Sequence, residues 1–356
     1  MTDDPRPGKT AEATRTGVAS ADPRDLAGWY RLAADLFERE ADAELLAVLS
    51  EVPGLSPYAT PEAAARYTDV LVLNVHPFAS VYLDADGALH AGRATFTAGV
   101  LRALGLRVHE REGVSADHVS VALEALATLL EREADTASDV DADRARHAQR
   151  TVLAEHLLPW APLFLGAVER VDDGLYRAVA RTVGTTLRRH AARLAALDAA
   201  PPEAAPPEAA PPEPNAADLA PPPEHDGDGT EPGDAADDGE AEDPLAWLAA
   251  PARCGMFLAR DDIAGLAARA GLPTRIGGRR FVLRQLGTAA ASGEEESEAL
   301  RDALAAFARD RRAELDTWTE ALPAFASVWR PLRGRLDATE ARLASSSPDA
   351  PTDTTG

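Results

Sequence analysis

The chain has 356 residues and a formal net charge of −23. This acidic balance excludes the basic surface that phosphate-backbone binding requires, so no nucleic-acid partner is expected. Apolar residues make up 45% of the chain but aromatic residues only 5%, so its core must be built mainly from Ala, Leu and Val. That composition favours helices, because Ala and Leu have the highest helix propensities.

Cysteine content and the lengths of the apolar runs exclude further classes of protein. Cys254 is the only cysteine in the sequence, which excludes a disulfide framework and a cysteine metal site and predicts a buried, inert thiol. The first 25 residues lack an apolar export segment, and no run approaches the length of a membrane span, so we expect a cytoplasmic protein without membrane insertion. Lys9 is the only lysine; adaptation to a halophile-like, high-salt cytoplasm and a GC-rich genome both explain this bias.

Composition along the chain predicts two domains joined by a linker. Residues 1–22 read as a disordered tail, and residues 23–200 as an N-terminal helical domain. Residues 201–243 contain the repeat "PPEAAPPEAAPPEP" and 14 acidic residues but no Lys or Arg. Such a segment buries too little apolar surface to fold, so we predict an extended, disordered linker. A smaller helical domain is predicted over 244–345 and a second disordered tail over 346–356.

The first predicted helices of the N-terminal domain carry one apolar face each. In residues 25–40 the buried face is predicted to contain residues three and four apart: Trp29, Leu32, Ala33, Leu36 and Phe37. The following run "DVLVLNV" (69–75) is rich in β-branched residues. Because no second strand of similar quality lies nearby, we interpret it as a buried helix end.

The second half of this domain is also predicted to be helical. In residues 115–133, Ser115 is the predicted N-cap and Asp117 complements the helix dipole. Pro159 is expected to end or kink the next helix, and Pro162 fits only the first turn of the one after it. A long last helix is predicted over residues 174–197. Together these elements give an all-α fold class.

The predicted C-terminal domain also contains residues that typically start or end helices. A helix beginning near Arg260–Asp262 is predicted to stop at Gly271. Residues 294–325 predict one or two helices that break near Pro323.

No catalytic, cofactor-binding or metal-binding motif is recognisable in the sequence, so we expect neither an enzyme nor a bound cofactor. Two acid–histidine neighbours occur, Asp117-His118 and Glu155-His156. Adjacent residues on a helix point in different directions, so neither pair forms a dyad by itself. Trp160 and Phe164 are four residues apart and predict core packing. Phe78 and Tyr82 are placed in a proline-containing loop, where lining a site and packing a core are both open readings.

Four segments in order resemble the TorD/DmsD/NarJ family of molybdoenzyme maturation chaperones. They are "WYRLAADLF" (29–37), "HPFASVYLD" (76–84), "ADHVSVALEALATLL" (116–130) and "EHLLPWAPLF" (155–164). The resemblance spans about residues 25–198 and implies an all-helical chaperone that binds the signal peptide of a partner enzyme. It also implies that "HPFASVYLD" is a connecting loop beside the peptide-binding surface. The acidic linker and the region after it extend beyond the usual family core.

The resemblance also implies a set of peptide-binding residues. Matching the family's motifs position by position gives Pro77, Phe78, Ser80, Tyr82, Asp117, His118, His156 and Trp160.

The implied function is a chaperone that binds the N-terminal, twin-arginine-type signal region of a molybdenum-cofactor oxidoreductase and assists cofactor insertion before export. The implied partner is the apo form of a catalytic subunit similar to dimethyl sulfoxide, trimethylamine N-oxide or nitrate reductases. A general helical interaction or scaffold module and an enzyme with an unrecognised helical site remain as alternatives. The sequence leaves the client, the oligomeric state and direct nucleotide or molybdopterin binding open.

Overall fold

Helices make up the regular secondary structure of the residues that the computed structural model describes, which are 22–85, 92–106, 114–199, 245–274 and 277–345. Within these ranges there is no β-strand, and a single isolated bridge joins Phe78 and His118. The predicted all-α fold class is therefore confirmed. The predicted linker, and almost all of the two predicted tails, lie outside the described residues.

The part before the linker contains nine of the described α-helices, which we label α1 to α9. Their bounds are Pro23–Glu38, Ala43–Ser50, Pro61–Ala64, Ala79–Leu83, Gly92–Ala103, Val119–Asp135, Asp139–Thr151, Ala161–Val171 and Leu175–Ala199. Two π-helical segments, Thr68–Asn74 and Val152–Leu157, and one 3₁₀ turn, Ser56–Tyr58, complete this part.

The part after the linker, which we call the C-terminal segment, covers the described residues from 245 to 345. Its described α-helices, α10 to α14, are Pro251–Cys254, Arg260–Arg269, Arg279–Ala290, Glu294–Ala321 and Arg330–Ser345. One 3₁₀ segment, Ala246–Ala249, precedes α10, and a second, Pro323–Trp329, connects α13 to α14. The predicted stop at Gly271 and the predicted break near Pro323 are both confirmed, because α11 ends at Arg269 and α13 at Ala321.

The predicted apolar stripe of α1 is fully inside the protein. Trp29, Leu36 and Phe37 are all buried, and α1 packs along α6. Asp22 caps α1 by accepting a hydrogen bond from Arg24 N at 2.8 Å, which satisfies one of the free N–H groups at the helix start.

A polar network crosses the core of the helical bundle. Tyr30 Oη lies 3.1 Å from His190 Nδ1, and His190 Nε2 lies 2.8 Å from Gln149 Oε1. Gln149 Nε2 donates to Glu133 at 2.9 Å, and Arg193 and Arg146 donate to the same carboxylate at 2.5 and 2.8 Å. Because Gln149 donates to Glu133, its Oε1 is left to accept from His190. Helices α1, α6, α7 and α9 are joined by this network.

The run "DVLVLNV" forms the π-helical segment Thr68–Asn74, so the prediction of a helix over this run is confirmed. Val70 and Leu71 are buried, whereas Val72 and Leu73 are exposed. The Asn74 side chain donates to the Asp69 carbonyl at 2.9 Å. The segment therefore has one buried and one exposed apolar side.

The predicted start of α6 is wrong. Ser115 does not cap the helix, which begins at Val119 with His118 as its N-cap. His118 Nδ1 accepts from Ser120 N at 3.2 Å. The Asp117 carboxylate is directed to another part of the chain, because it accepts from Ser80 N at 3.0 Å.

The C-terminal segment packs directly on the N-terminal helices, and buried residues of both parts belong to one hydrophobic cluster. Trp329 Nε1 donates to the Leu158 carbonyl at 2.6 Å. Trp318 lies under the Arg188 guanidinium, 4.7 Å from the ring centre. The division of the chain into two domains stays a prediction, since a shared core does not decide whether each part folds alone.

Gly255 directs the chain of the C-terminal segment into this core. It has φ +76°, and a Cβ there would lie 2.8 Å from Leu336 N. Glycine meets both requirements, because it alone adopts positive φ without cost and leaves room for a close backbone. The next residues, Met256 to Ala259, are all buried, and Cys254 is buried as predicted.

Among the described residues, no single helix is long and apolar enough to cross a membrane. One strongly bent pair, Asp139–Leu157 with Ala161–Val171, meets the length and composition requirement only when taken together.

Candidate functional site

The segment Pro77–Ser80 is joined to the start of α6 by a set of backbone hydrogen bonds. Ala79 N donates to the Asp117 carbonyl and Val119 N donates to the Pro77 carbonyl, each at 2.9 Å. The Asp117 carboxylate accepts from Ser80 N at 3.0 Å and from Ser115 Oγ at 2.5 Å. Asp117 therefore acts as a long-range cap of α4, which has no capping side chain of its own.

Phe78 and His118 meet across this junction. Their rings are 4.9 Å apart in an edge-to-face arrangement. Burial lowers the pKa of His118 to about 4, although Glu38 and Asp117 act in the opposite direction. The imidazole is therefore neutral near pH 7 and free to accept from the Ser120 backbone.

Tyr82 and Trp160 form the centre of a larger group that we call the aromatic cluster, defined by Tyr82, Trp160, Phe164 and Phe257. Tyr82 stacks on Trp160 with ring centres 5.3 Å apart, and it lies 6.2 Å from Phe164 and 5.0 Å from Phe257. Trp160 Nε1 donates to the His156 carbonyl at 2.7 Å. Tyr82 and Trp160 are each only 1% exposed.

The Tyr82 hydroxyl is the unusual atom of the aromatic cluster. It is buried and has no hydrogen-bond partner among the described residues. Burial raises the pKa of Tyr82 far above its ordinary value, so the phenol stays neutral. A buried hydroxyl without a partner costs about 1–3 kcal/mol, and such groups are rare in folded proteins.

His156 lies under α5. Its Nδ1 is 3.4 Å from Thr97 Oγ1, and its ring is 5.5 Å from that of Phe96. Burial, and secondarily the charge of Arg93, lower the pKa of His156 to about 4. Its Nε2 has no hydrogen-bond partner among the described residues. Phe96 itself is 46% exposed.

The structure brings the sequence-predicted site residues into two adjoining groups. Ser80 and Tyr82 lie on α4, so the expected connecting loop is in fact a short helix at this point. Helix α4 connects the Phe78–His118 junction to the Tyr82–Trp160 stack. Phe78 is half-buried, and the other predicted positions are buried: Pro77, Ser80, Tyr82, Asp117, His118, His156 and Trp160. They do not line an open groove in this conformation, and their role in peptide binding stays a prediction.

Several residues that contact this site come from the C-terminal segment and were not found by sequence reasoning. Phe257 forms one wall of the aromatic cluster. The Arg279 guanidinium lies 4.7 Å from the Phe257 ring centre and donates to the Ala249 carbonyl. Asp262 accepts from Arg170 of α8. No local pattern marks these residues, because their partners lie far away in the chain.

In the candidate site, the described acidic and histidine side chains act as helix caps and packing groups. Across the described ranges, no group of three or more His, Cys, Asp or Glu side chains is arranged to hold a metal ion. In the first acid–histidine pair, Asp117 caps α4 and His118 caps α6. In the second pair, His156 packs beside Phe96 and Thr97.

The fold and the site together define an all-helical protein whose conspicuous feature is a buried aromatic cluster beside a capped helix junction. Residues 36–166 match the family described as nitrate reductase delta subunit. Over this segment the resemblance to the TorD/DmsD/NarJ family is confirmed.

Curated relatives agree with this assignment. The chain is 29% identical over 122 residues to the chaperone protein TorD of Vibrio vulnificus strain YJ016, which covers 33% of this chain and 57% of that protein. It is 31% identical over 125 residues to the chaperone protein TorD of Vibrio cholerae strain N16961, with 34% and 56% covered. The same name belongs to a relative in Aliivibrio fischeri that is 31% identical over 120 residues, with 33% and 56% covered. The chain thus spans little more than half the length of the curated relatives it matches, each of which is named a chaperone.

Proposed function

We propose that this protein is a maturation chaperone for a molybdenum-cofactor oxidoreductase. In this proposal it binds the N-terminal, twin-arginine-type signal region of the apo catalytic subunit in the cytoplasm. It assists cofactor insertion and assembly before the client is exported. Clients similar to dimethyl sulfoxide, trimethylamine N-oxide or nitrate reductases fit this role equally well.

The main support for the proposal is the position of the family match in the chain. The matched segment, residues 36–166, includes all eight sequence-predicted peptide-binding residues. In the structure these residues adjoin one another although they come from three separated segments of the chain. Peptide recognition accounts for such an arrangement, and core packing accounts for it equally, so the variants below test the role directly.

Physical complementarity also supports a peptide client. A signal region has a positively charged start followed by an apolar stretch of about 7–15 residues. The aromatic cluster would supply apolar contact area to that stretch, and aromatic side chains dominate binding energy at such contacts. The net charge of −23 would attract the positively charged start and speed encounter.

Deleting the gene is expected to lower the molybdenum content and activity of at least one molybdoenzyme while its mRNA level stays unchanged. The reason is that a chaperone acts on the protein after translation. Metal analysis of the purified molybdoenzymes, with transcript levels measured in parallel, checks this outcome. Re-expressing the wild-type chain should restore cofactor content. Normal molybdenum content in every molybdoenzyme of the deletion strain would contradict the proposal and favour a general interaction module.

Tyr82→Phe is expected to weaken binding of the client signal peptide by about 2- to 10-fold, the range of one net hydrogen bond. The proposed reason is that the Tyr82 hydroxyl, which has no partner in the described structure, bonds to the bound peptide. Thermal stability should not fall, because phenylalanine keeps the stack on Trp160 and removes an unsatisfied group. Isothermal titration calorimetry and thermal melts measure the two effects separately.

Tyr176→Phe is the matched control for this variant. Tyr176 is also buried, but its hydroxyl donates to the Ala64 carbonyl at 3.5 Å. Its loss should affect stability and leave peptide affinity unchanged. Equal peptide affinity of Tyr82→Phe and wild type would remove the Tyr82 hydroxyl from the proposed recognition site.

A further inference from the structure

The aromatic cluster is closed on one side by the chain's own C-terminal segment. Phe257 lies 5.0 Å from Tyr82, ring centre to ring centre, and is two residues after Gly255. It occupies a position against Tyr82 that an apolar side chain of a bound peptide could take. In the described structure, the stretch of residues 257–262, which we call the cover, closes this side of the aromatic cluster.

A localised set of polar contacts holds this cover in place. Arg170 on α8 donates to both carboxylate oxygens of Asp262 at 3.0 and 3.1 Å, and to the Phe257 carbonyl at 3.1 Å. The side chains of Arg170 and Asp262 are 19% and 8% exposed. Glu314 of α13 also approaches Arg170, with 3.9 Å between Glu314 Oε2 and Arg170 Nη1. A buried ion pair roughly offsets its own desolvation, but removing one partner leaves the other charge buried and unpaired, so loss of Arg170 would destabilise the covered form.

The covered form leaves polar groups unsatisfied where the two parts meet. The Tyr82 hydroxyl has no hydrogen-bond partner among the described residues, and neither do Nε and Nη1 of Arg311 on α13. Arg311 is paired through Nη2 with Glu314, which packs against α8 at Gly166. Each unsatisfied group is a free-energy penalty that water or a peptide would relieve when the cover moves away.

The cover is also covalently tethered. Residues 200–244, rich in Pro and acidic residues, separate α9 from the C-terminal segment. A tether of this kind keeps the released segment at high effective concentration, so that it returns without searching solution.

We propose that the C-terminal segment and the apolar stretch of the client peptide compete for the aromatic cluster, so that the peptide binds after the stretch around Phe257–Asp262 has moved off Tyr82. This rests on the proposed function, since it describes how the same site is regulated. The uncovered site presents Tyr82 and Trp160 to the peptide. The apparent affinity for the client is then reduced by the fraction of molecules that are covered.

Weakening the cover tests the competition. In the full-length protein, Arg170→Met removes the contacts to Asp262 and to the Phe257 carbonyl while keeping most of the side-chain volume. The probe is a synthetic peptide with an Arg-Arg pair followed by an apolar stretch of about 7–15 residues. Arg170→Met is expected to bind this probe about tenfold or more tightly than wild type, because the covered fraction falls. Calorimetric titration measures the affinity, and circular dichroism checks the fold.

Arg31→Met is the matched control. Arg31 makes a two-bonded contact with Glu131 inside the N-terminal bundle, away from the cover. Both substitutions remove a two-bonded arginine–carboxylate pair, although the Arg31–Glu131 side chains are more exposed, at 43% and 40%. The control therefore shows whether the loss of such a pair elsewhere in the protein changes affinity. The competition requires that Arg31→Met keep the wild-type affinity.

Hydrogen exchange on the wild-type protein supplies a second, independent measurement. Adding the probe should raise amide exchange in residues 256–269, because that stretch leaves the core when the peptide binds. Unchanged or slower exchange there, or an unchanged or weaker affinity of Arg170→Met, would overturn the competition while the proposed function stands. Failure of the probe to bind wild type and both variants would instead overturn the proposed signal-peptide binding, and the competition with it.

Discussion

Replacing Trp160 by alanine is expected to lower the free energy of unfolding by about 3–5 kcal/mol, the usual cost of removing a large buried aromatic side chain. Trp160 stacks on Tyr82 and contacts Phe164, with ring centres 5.3 and 5.5 Å apart. It also donates to the His156 carbonyl at 2.7 Å, which would lose its partner. Urea unfolding followed by far-ultraviolet circular dichroism measures the loss.

Phe281→Ala is the control for this experiment. Phe281 is also aromatic and lies on a helix, but 42% of it is exposed. Its replacement should change stability by a small fraction of the Trp160 effect. A Trp160→Ala protein with wild-type stability but lost peptide binding would show that Trp160 serves recognition and not the core.

Replacing Glu133 by alanine is expected to cost about 3 kcal/mol near pH 7, because it removes one partner of a largely buried ionic network. Arg193, Gln149 and Arg146 donate to this carboxylate at 2.5, 2.9 and 2.8 Å. Only 3% of the Glu133 side chain is exposed. Denaturant unfolding at pH 7 measures the loss, and Glu298→Ala, at an exposed position of α13, should have little effect.

The same carboxylate predicts a dependence of stability on pH. Burial acts to raise the pKa of Glu133, but the hydrogen bonds from Arg193, Gln149 and Arg146 outweigh it and lower the pKa to about 2. Since the ordinary value is 4.5, the ionised form stabilises the folded protein above about pH 4.5. This stabilisation is lost as the pH falls from 4.5 towards 2.

Glu133→Gln isolates that contribution. Glutamine keeps the shape of the side chain but does not titrate, so stability should fall less in this variant than in wild type between pH 5 and pH 3. His190 contributes acid sensitivity in both proteins, because burial lowers its pKa to about 3. Parallel pH profiles of wild type and Glu133→Gln would contradict the role of Glu133 in the network.

Much of the fold was predictable because its signals are local. The stripe that contains Trp29 and Phe37 has helical spacing, and the structure buries both residues. Gly271 has φ +67° just after α11, as expected for a helix stop. Pro323 lies two residues after the last residue of α13, Ala321. Each of these signals depends on residues within one or two helical turns, so it does not depend on how distant parts of the chain pack.

The candidate site was predictable only in part. Family motifs indicated Tyr82, His118 and Trp160, and the structure does place Tyr82 on Trp160. The motifs could not indicate that Asp117 caps α4 rather than α6, because that hydrogen bond joins residues that are far apart in the chain. Nor could they indicate Phe257, since an aromatic residue carries no sequence mark of its distant partner.

The sequence alone therefore determined that the protein is helical, where its main helices end, and which family motifs it carries. Helix propensity, apolar spacing, Gly and Pro are properties of neighbouring residues, and they suffice for those conclusions. Tertiary structure alone decided that Tyr82 is buried, that the C-terminal segment closes the aromatic cluster through Phe257, and that Arg170 is paired with Asp262. These depend on contacts between distant residues, which form only when the whole core packs and excludes water.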